Sequence, residues 1–269
     1  MNVQWWCSAR DLPWNWTWQA YPGVWLFAIA VGALFWPLRR RRGWLIGTAG
    51  VPAAIVTLWL TLDYPVGPLG AGYLAWMHAV QFLMLAMVVP PLLYLGLDRA
   101  RVATALERRG WAMSLLRRAT QPLFAMIVFA IVMVVSHIPR VVDALMVTQP
   151  GAFALDLAWL GAGLLFWWPV LVRLPERPHF PPLVQMLYLF FGAQPHLYIA
   201  MWLLLARFPV YGTYELAPRV GDLSAVTDQQ IAGGVMLVVG GTFILVVITV
   251  IFFRWMSGYQ DREPFRRSG

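Results

Sequence analysis

The sequence is short of charge and of the residues that most enzymes and metal proteins are built on: in 269 residues it has one cysteine, four histidines, no lysine and only 12% charged side chains. A single thiol, Cys7, excludes an internal disulfide and any CxxC metal or redox motif. No P-loop, GxGxxG or GxSxG pattern sits in a fitting strand context, which removes phosphate-cradling, dinucleotide-binding and serine-hydrolase chemistry and leaves no enzyme expected. Charge is about half the 25% or so of an ordinary soluble domain, and 60% of the residues are hydrophobic. A mean hydropathy of +0.65 excludes a soluble globule. A secretory leader is not expected, because Met1–Ala20 is polar, aromatic and interrupted by Arg10, Asp11 and Pro13.

What is present is apolar chain in span-length pieces. Runs that meet the requirement of about 20 residues per crossing lie at Pro22–Leu38, Trp44–Leu62, Tyr73–Leu97, Gln121–Pro139, Ala154–Val172, Leu183–Ala206 and Ile231–Trp255. The expected fold is all-α: a polytopic membrane protein of seven transmembrane helices. Residues 1–21 form a Trp-rich N-terminal segment, 22–255 the bundle and 256–269 a C-terminal tail. Pro90-Pro91 and Pro195 fall inside spans and predict a kink or strong tilt at each. The 16 tryptophans and 20 prolines also suit a membrane bundle.

All twenty cations are arginines, giving a net charge of +8. They lie mainly in alternate connections: 16 at Arg39–Arg42, Arg99–Arg118, Arg173–Arg177 and Arg254–Arg267, against 4 at Arg10, Arg140, Arg207 and Arg219. By the positive-inside rule, this split predicts an outside N-terminus and a cytoplasmic C-terminus in a bacterial inner membrane. Basicity of this kind answers to anionic lipid, and no nucleic-acid partner is expected. Asp98–Arg118 reads as a short amphipathic helix at the membrane surface.

Polar groups inside spans are costly enough to be functional candidates. His78 and Gln81, three apart, share a helix face, with Met84 nearby. Imidazole plus thioether suits copper, particularly Cu(I), although methionine is also a flexible filler of apolar interfaces. His137, at the end of the fourth span, and Asp156, near the start of the fifth, fall towards the same side and complete a candidate metal set of His78, His137 and Asp156. Asp143 reads as a helix cap or a partner of Arg140. His196, after Pro195, reads as a structural group satisfying a backbone carbonyl freed by the proline. Cys7 and His179 are assigned no role. The segment Phe208–Gln230 reads as the longest outer loop, a cap together with Trp5, Trp6, Trp14, Trp16 and Trp18.

Four runs then carry a resemblance: His78-Ala-Val-Gln81-Phe82 leading to Pro90-Pro91-Leu-Leu-Tyr-Leu-Gly96, His137-Ile-Pro139 with Asp143, Gly163-Leu-Leu-Phe-Trp-Trp-Pro169, and Asp228-Gln229-Gln230-Ile-Ala-Gly233-Gly-Val-Met236. In order and spacing, over Tyr73–Trp255, they resemble the CtaG family of cytochrome c oxidase (caa3-type) assembly factors. The resemblance implies a seven-helix membrane protein that helps build a haem-copper oxidase at the stage of copper delivery or insertion. Its metal ligands would be His78, His137 and Asp156, with Gln81, Met84, Asp228, Gln229 and Gln230 as supporting or gating groups. Two positions depart: Phe82 stands where the family commonly has a second histidine, and Asp156 where it usually has another. The alternative is a non-enzymatic subunit of a respiratory or photosynthetic membrane complex that has lost the metal. Expected partners are membrane lipids and the subunits of such an oxidase or complex.

Overall fold

The computed structural model describes residues 4–43, 45–107, 114, 116, 118–172 and 180–260, and every regular element among them is helical. The helices are α1 (Pro22–Phe35), α2 (Leu45–Leu62), α3 (Val66–Gly72), α4 (Ala75–Leu95), α5 (Arg99–Glu107), α6 (Pro122–Ser136), α7 (Pro139–Met146), α8 (Gln149–Leu171), α9 (Pro182–Leu205), α10 (Gly212–Glu215) and α11 (Ala225–Gly258). Proline occupies the first turn of α1, α6, α7, α8 and α9, where its missing N–H is not needed by the helix.

Four helices, α4, α8, α9 and α11, are long and apolar enough to cross a membrane. Two more candidates are bent pairs: α2 with α3 at 48°, and α6 with α7 at 76°. The count among the described residues is therefore four to six, not the seven expected; Pro22–Leu38 is apolar but shorter. The bends have local causes. Asp63-Tyr64-Pro65 and His137-Ile138-Pro139 each place a proline where the helix would continue, and the residue before a proline is pushed out of helical conformation. The expected loop Asp63–Gly72 thus contains α3, and the expected loop Phe208–Gln230 gives its last six residues to α11, which Ser224 caps by accepting from Thr227 N. Arg108, Arg109, Trp111, Leu115, Arg117, Arg173, Arg177, His179, Arg262, Arg266 and Arg267 lie outside the described residues.

Pro90-Pro91 does not break α4. Two prolines cannot donate to the carbonyls four residues earlier, those of Ala86 and Met87. The helix widens instead into a π turn over Met84–Val88. The Trp167 indole of α8 donates to Ala86 O at 3.1 Å, replacing one lost bond. Gly163, one turn earlier on α8, lets the two backbones meet: a Cβ there would stand 2.4 Å from Ala86 O. In α9 the helix is interrupted at Ala193, two residues before Pro195, yet continues as one apolar element of 24 residues. A second π turn, Met236–Gly240, lies in α11.

Candidate functional site

Residues 4–20 form no helix; they fold over one end of the bundle as a strap. Its Trp5 and Trp6 N–H groups both donate to Gln149 Oε1, at 2.8 and 3.1 Å, and Ala9 N donates to Met146 O at 2.8 Å. The buried Trp6 ring packs edge-on against Phe27 and Phe153. Its indole N–H donates to Asp156 Oδ2 at 2.9 Å. Cys7, 4% exposed, donates its thiol to Leu62 O at 3.3 Å. Burial, with the negative charges of Asp156 and Asp63 beside it, pushes that thiol well above the usual cysteine range.

Beneath the strap lies an aromatic chamber. His78, 9% exposed on the first turn of α4, stands edge-on to Trp159 with ring centres 4.8 Å apart and tilts against Tyr214 at 5.7 Å. Phe82, one turn further along α4, meets both His137 and Trp159 edge-on at 5.5 Å. Trp159 donates to Ser136 Oγ at 2.9 Å, and Ser136 Oγ lies 3.2 Å from His137 Nδ1. His137 Nδ1 is 2.8 Å from Met133 O, so this ring is held by its own helix, while His137 O accepts from Tyr211 Oη at 3.1 Å. His78 differs: neither ring nitrogen is in good hydrogen-bond geometry, Gln81 being the side chain that approaches it as a hydrogen-bond partner and the His137 ring acting on it electrostatically. An imidazole buried this way forgoes on the order of 1–3 kcal/mol per unmet group.

The chamber therefore brings together His78 and His137, whose rings both neighbour Trp159, at 4.8 and 6.3 Å. Asp156 is one turn before Trp159 on α8, but its carboxyl is engaged by Trp6. Gln81 Nε2 donates to Thr61 O and Gly67 O, at 3.2 and 3.4 Å, across the α2–α3 bend. Met84 is half-buried at the start of the first π turn. The three polar residues of α11 act as backbone clamps. Asp228 accepts from Ala75 N and Trp76 N, at 2.7 and 3.1 Å, capping α4, whose own first residue offers no side-chain cap. Gln229 accepts from Val210 N at 2.7 Å, and Gln230 donates to Ala206 O at 3.2 Å. Asp143 accepts from Gly212 N, Thr213 N and Thr213 Oγ1, capping α10 rather than pairing with Arg140.

Sequence reasoning passed over Trp159, Tyr214 and Ser136, which wall the chamber. Trp159 follows Asp156 by three and so shares its helix face, a signal that was available; Tyr214 is brought in only by the fold. The backbone partner expected for His196 is the Ala193 backbone: His196 is 0% exposed, neither ring nitrogen is in good hydrogen-bond geometry, and the Ala193 backbone approaches it as a partner, with the His137 ring as the other polar neighbour. Among the described residues, no three His, Cys, Asp or Glu side chains gather as a group that could hold a metal ion. The imidazoles of His78 and His137 are fewer than the four ligands that a structural zinc site takes.

No curated protein and no solved structure matches the chain. The family model of the cytochrome c oxidase caa3 assembly factor, Caa3_CtaG, matches residues 10–258, which covers the strap from Arg10 onward, the chamber and both π turns. This helical membrane protein belongs to the cytochrome c oxidase caa3 assembly factor family.

Proposed function

We propose that this chain is a non-enzymatic assembly factor of a bacterial inner membrane that carries Cu(I), as cargo for a haem-copper oxidase, on His78 and His137. The observation that carries the reading is His78, buried beside a second imidazole with neither ring nitrogen in good hydrogen-bond geometry and only Gln81 approaching it as a partner. Neutral imidazole nitrogens with open lone pairs are metal ligands, and the surrounding rings exclude the water that would otherwise compete for the ion. His137 Nδ1 is fixed by Met133 O, which leaves Nε2 as its coordinating atom. Asp156 is the third donor in this reading once the Trp6 indole releases it. Gln81 and the Asp228-Gln229-Gln230 clamp position the helices that carry the two rings.

The test is Cu(I) titration of the purified full-length chain under reducing, oxygen-free conditions. His78→Ala and His137→Ala are each expected to remove about one equivalent. Absence of copper above background in the wild-type protein refutes the reading. One observation favours the second possibility, a metal-free subunit of a larger complex: the Phe82 ring fills the space between His137 and Trp159. That reading predicts no copper and co-migration with a large complex after mild detergent extraction.

A further inference from the structure

We propose that His196 and Met236 form a second Cu(I) station, deeper in the bundle than His78; the proposal rests on the copper reading above. Three observations lead to it. His196 is fully buried in an apolar interior, neither ring nitrogen is in good hydrogen-bond geometry, and the Ala193 backbone is the one group that approaches it as a partner, which leaves a ring nitrogen for a ligand. The backbone opposite has been cleared for the ring: Gly240, last residue of the second π turn, would place a Cβ 3.0 Å from His196 Nε2 and 2.9 Å from Leu83 Cδ2. The register of α9 against α11 then supplies a soft donor. Gly233 lies against Ala200 and Leu204, and Gly240 against His196. Met236, between those two glycines and 1% exposed, consequently faces the stretch of α9 that carries His196.

An imidazole and a thioether from two helices form the two-ligand set that a soft monovalent ion accepts. An apolar side chain would fill the His196 position without an unmet polar group, so packing alone does not account for an imidazole there. Leu83, which touches Gly240, is five residues beyond His78 on α4, or about 7 Å along the helix. His137 is electrostatically coupled to both of the other imidazoles. An ion taken up at His78 and His137 therefore has a further nitrogen donor in the neighbourhood at His196.

The experiment is an oxygen-free titration of the full-length protein in detergent with Cu(I) against a chromophoric Cu(I) chelator. The wild type is expected to take up about two equivalents, one for each donor pair. His196→Ala and Met236→Leu are each expected to remove the same equivalent, and the double variant no more than either. Loss of even a supporting group around a metal weakens binding by about 10–100-fold, so loss of a ligand is expected to cost at least that at this station. X-ray absorption of the copper-loaded protein should show a sulfur scatterer that disappears in Met236→Leu. A wild type that binds one equivalent, lost in His78→Ala and kept in His196→Ala, overturns the second station and leaves the first. A wild type that binds none overturns both. Should His196→Ala fail to fold, Met236→Leu, close in volume, decides: an unchanged uptake and an unchanged copper spectrum refute the pair.

Discussion

Asp228 offers the sharpest test of how the chamber is held. It is 2% exposed and lies in the first turn of α11, yet it caps a different helix, accepting from the first two N–H groups of α4 at 2.7 and 3.1 Å. Helix N-termini leave their first N–H groups without intrahelical partners, and α4 has no side-chain cap of its own. Hydrogen bonds to a carboxylate contribute about 1.5–3 kcal/mol each. Asp228→Ala removes both acceptors and is expected to cost about 3–5 kcal/mol, whereas Asp228→Asn keeps one acceptor oxygen and is expected to cost about 1–2 kcal/mol. His78 follows Ala75 by three residues, so both variants are also expected to weaken Cu(I) uptake at His78, in the order Ala worse than Asn. Reversible unfolding in mixed micelles, followed through the fluorescence of the 16 tryptophans, measures the stability. Wild-type stability in Asp228→Ala, within about 0.5 kcal/mol, would refute the cap, because unpartnered buried N–H groups cannot be that cheap.

Other expectations are shorter. Gly163→Ala places a methyl 2.4 Å from Ala86 O, so α4 and α8 must separate at the first π turn; a loss of about 1–3 kcal/mol in the same unfolding assay is expected, and no loss would show the contact to be slack. Tyr214→Phe deletes the bond from Tyr214 Oη to Gly70 O at 2.7 Å and is expected to lower stability by about 1 kcal/mol while leaving the helices intact by circular dichroism. Trp6→Phe frees the Asp156 carboxyl; if that group serves as third ligand, Cu(I) affinity rises, and an unchanged affinity removes Asp156 from the ligand set. For Cys7, burial and the charges of Asp156 and Asp63 raise the thiol pKa, which lowers the reactive thiolate at any given pH. Alkylation of the folded protein is expected to stay slow as pH rises through the range about 8.5 where free thiols ionise, and to become fast on unfolding in SDS.

Much of the helix pattern was readable because it is local. Long apolar runs mark α4, α8, α9 and α11 without reference to anything else in the chain. The bent pairs were misread because Val66–Gly72, rich in glycine and following Asp63-Tyr64-Pro65, reads locally as a loop, although it packs as a helix at an angle to Leu45–Leu62. The continuity of α4 through Pro90-Pro91 has a non-local reason. The freed carbonyl of Ala86 found its donor in Trp167, 81 residues away, so the helix could widen rather than break. Asp228 was taken as part of a loop because Ser224, the cap that starts α11, is followed by a polar stretch that only tertiary contacts make helical.

The polar residues follow the same division. His78 and His137 were legible as candidates because an imidazole in an apolar run is conspicuous wherever it sits. What each carboxylate does was not, since every answer lies far along the chain or in an adjoining backbone. Asp63 takes the Trp25 indole and the Tyr64 N–H, Asp143 the start of α10, Asp156 the Trp6 indole and Asp228 the start of α4. With these four committed to N–H donors, this end of the bundle has few free hard oxygen ligands, and neither His78 nor His196 has a ring nitrogen in good hydrogen-bond geometry. On the copper reading proposed above, that division of labour makes a soft ion the expected cargo. Competition between Cu(I) and Zn(II) for the wild-type chain is expected to favour Cu(I) strongly, and tighter binding of Zn(II) would contradict that argument at its root.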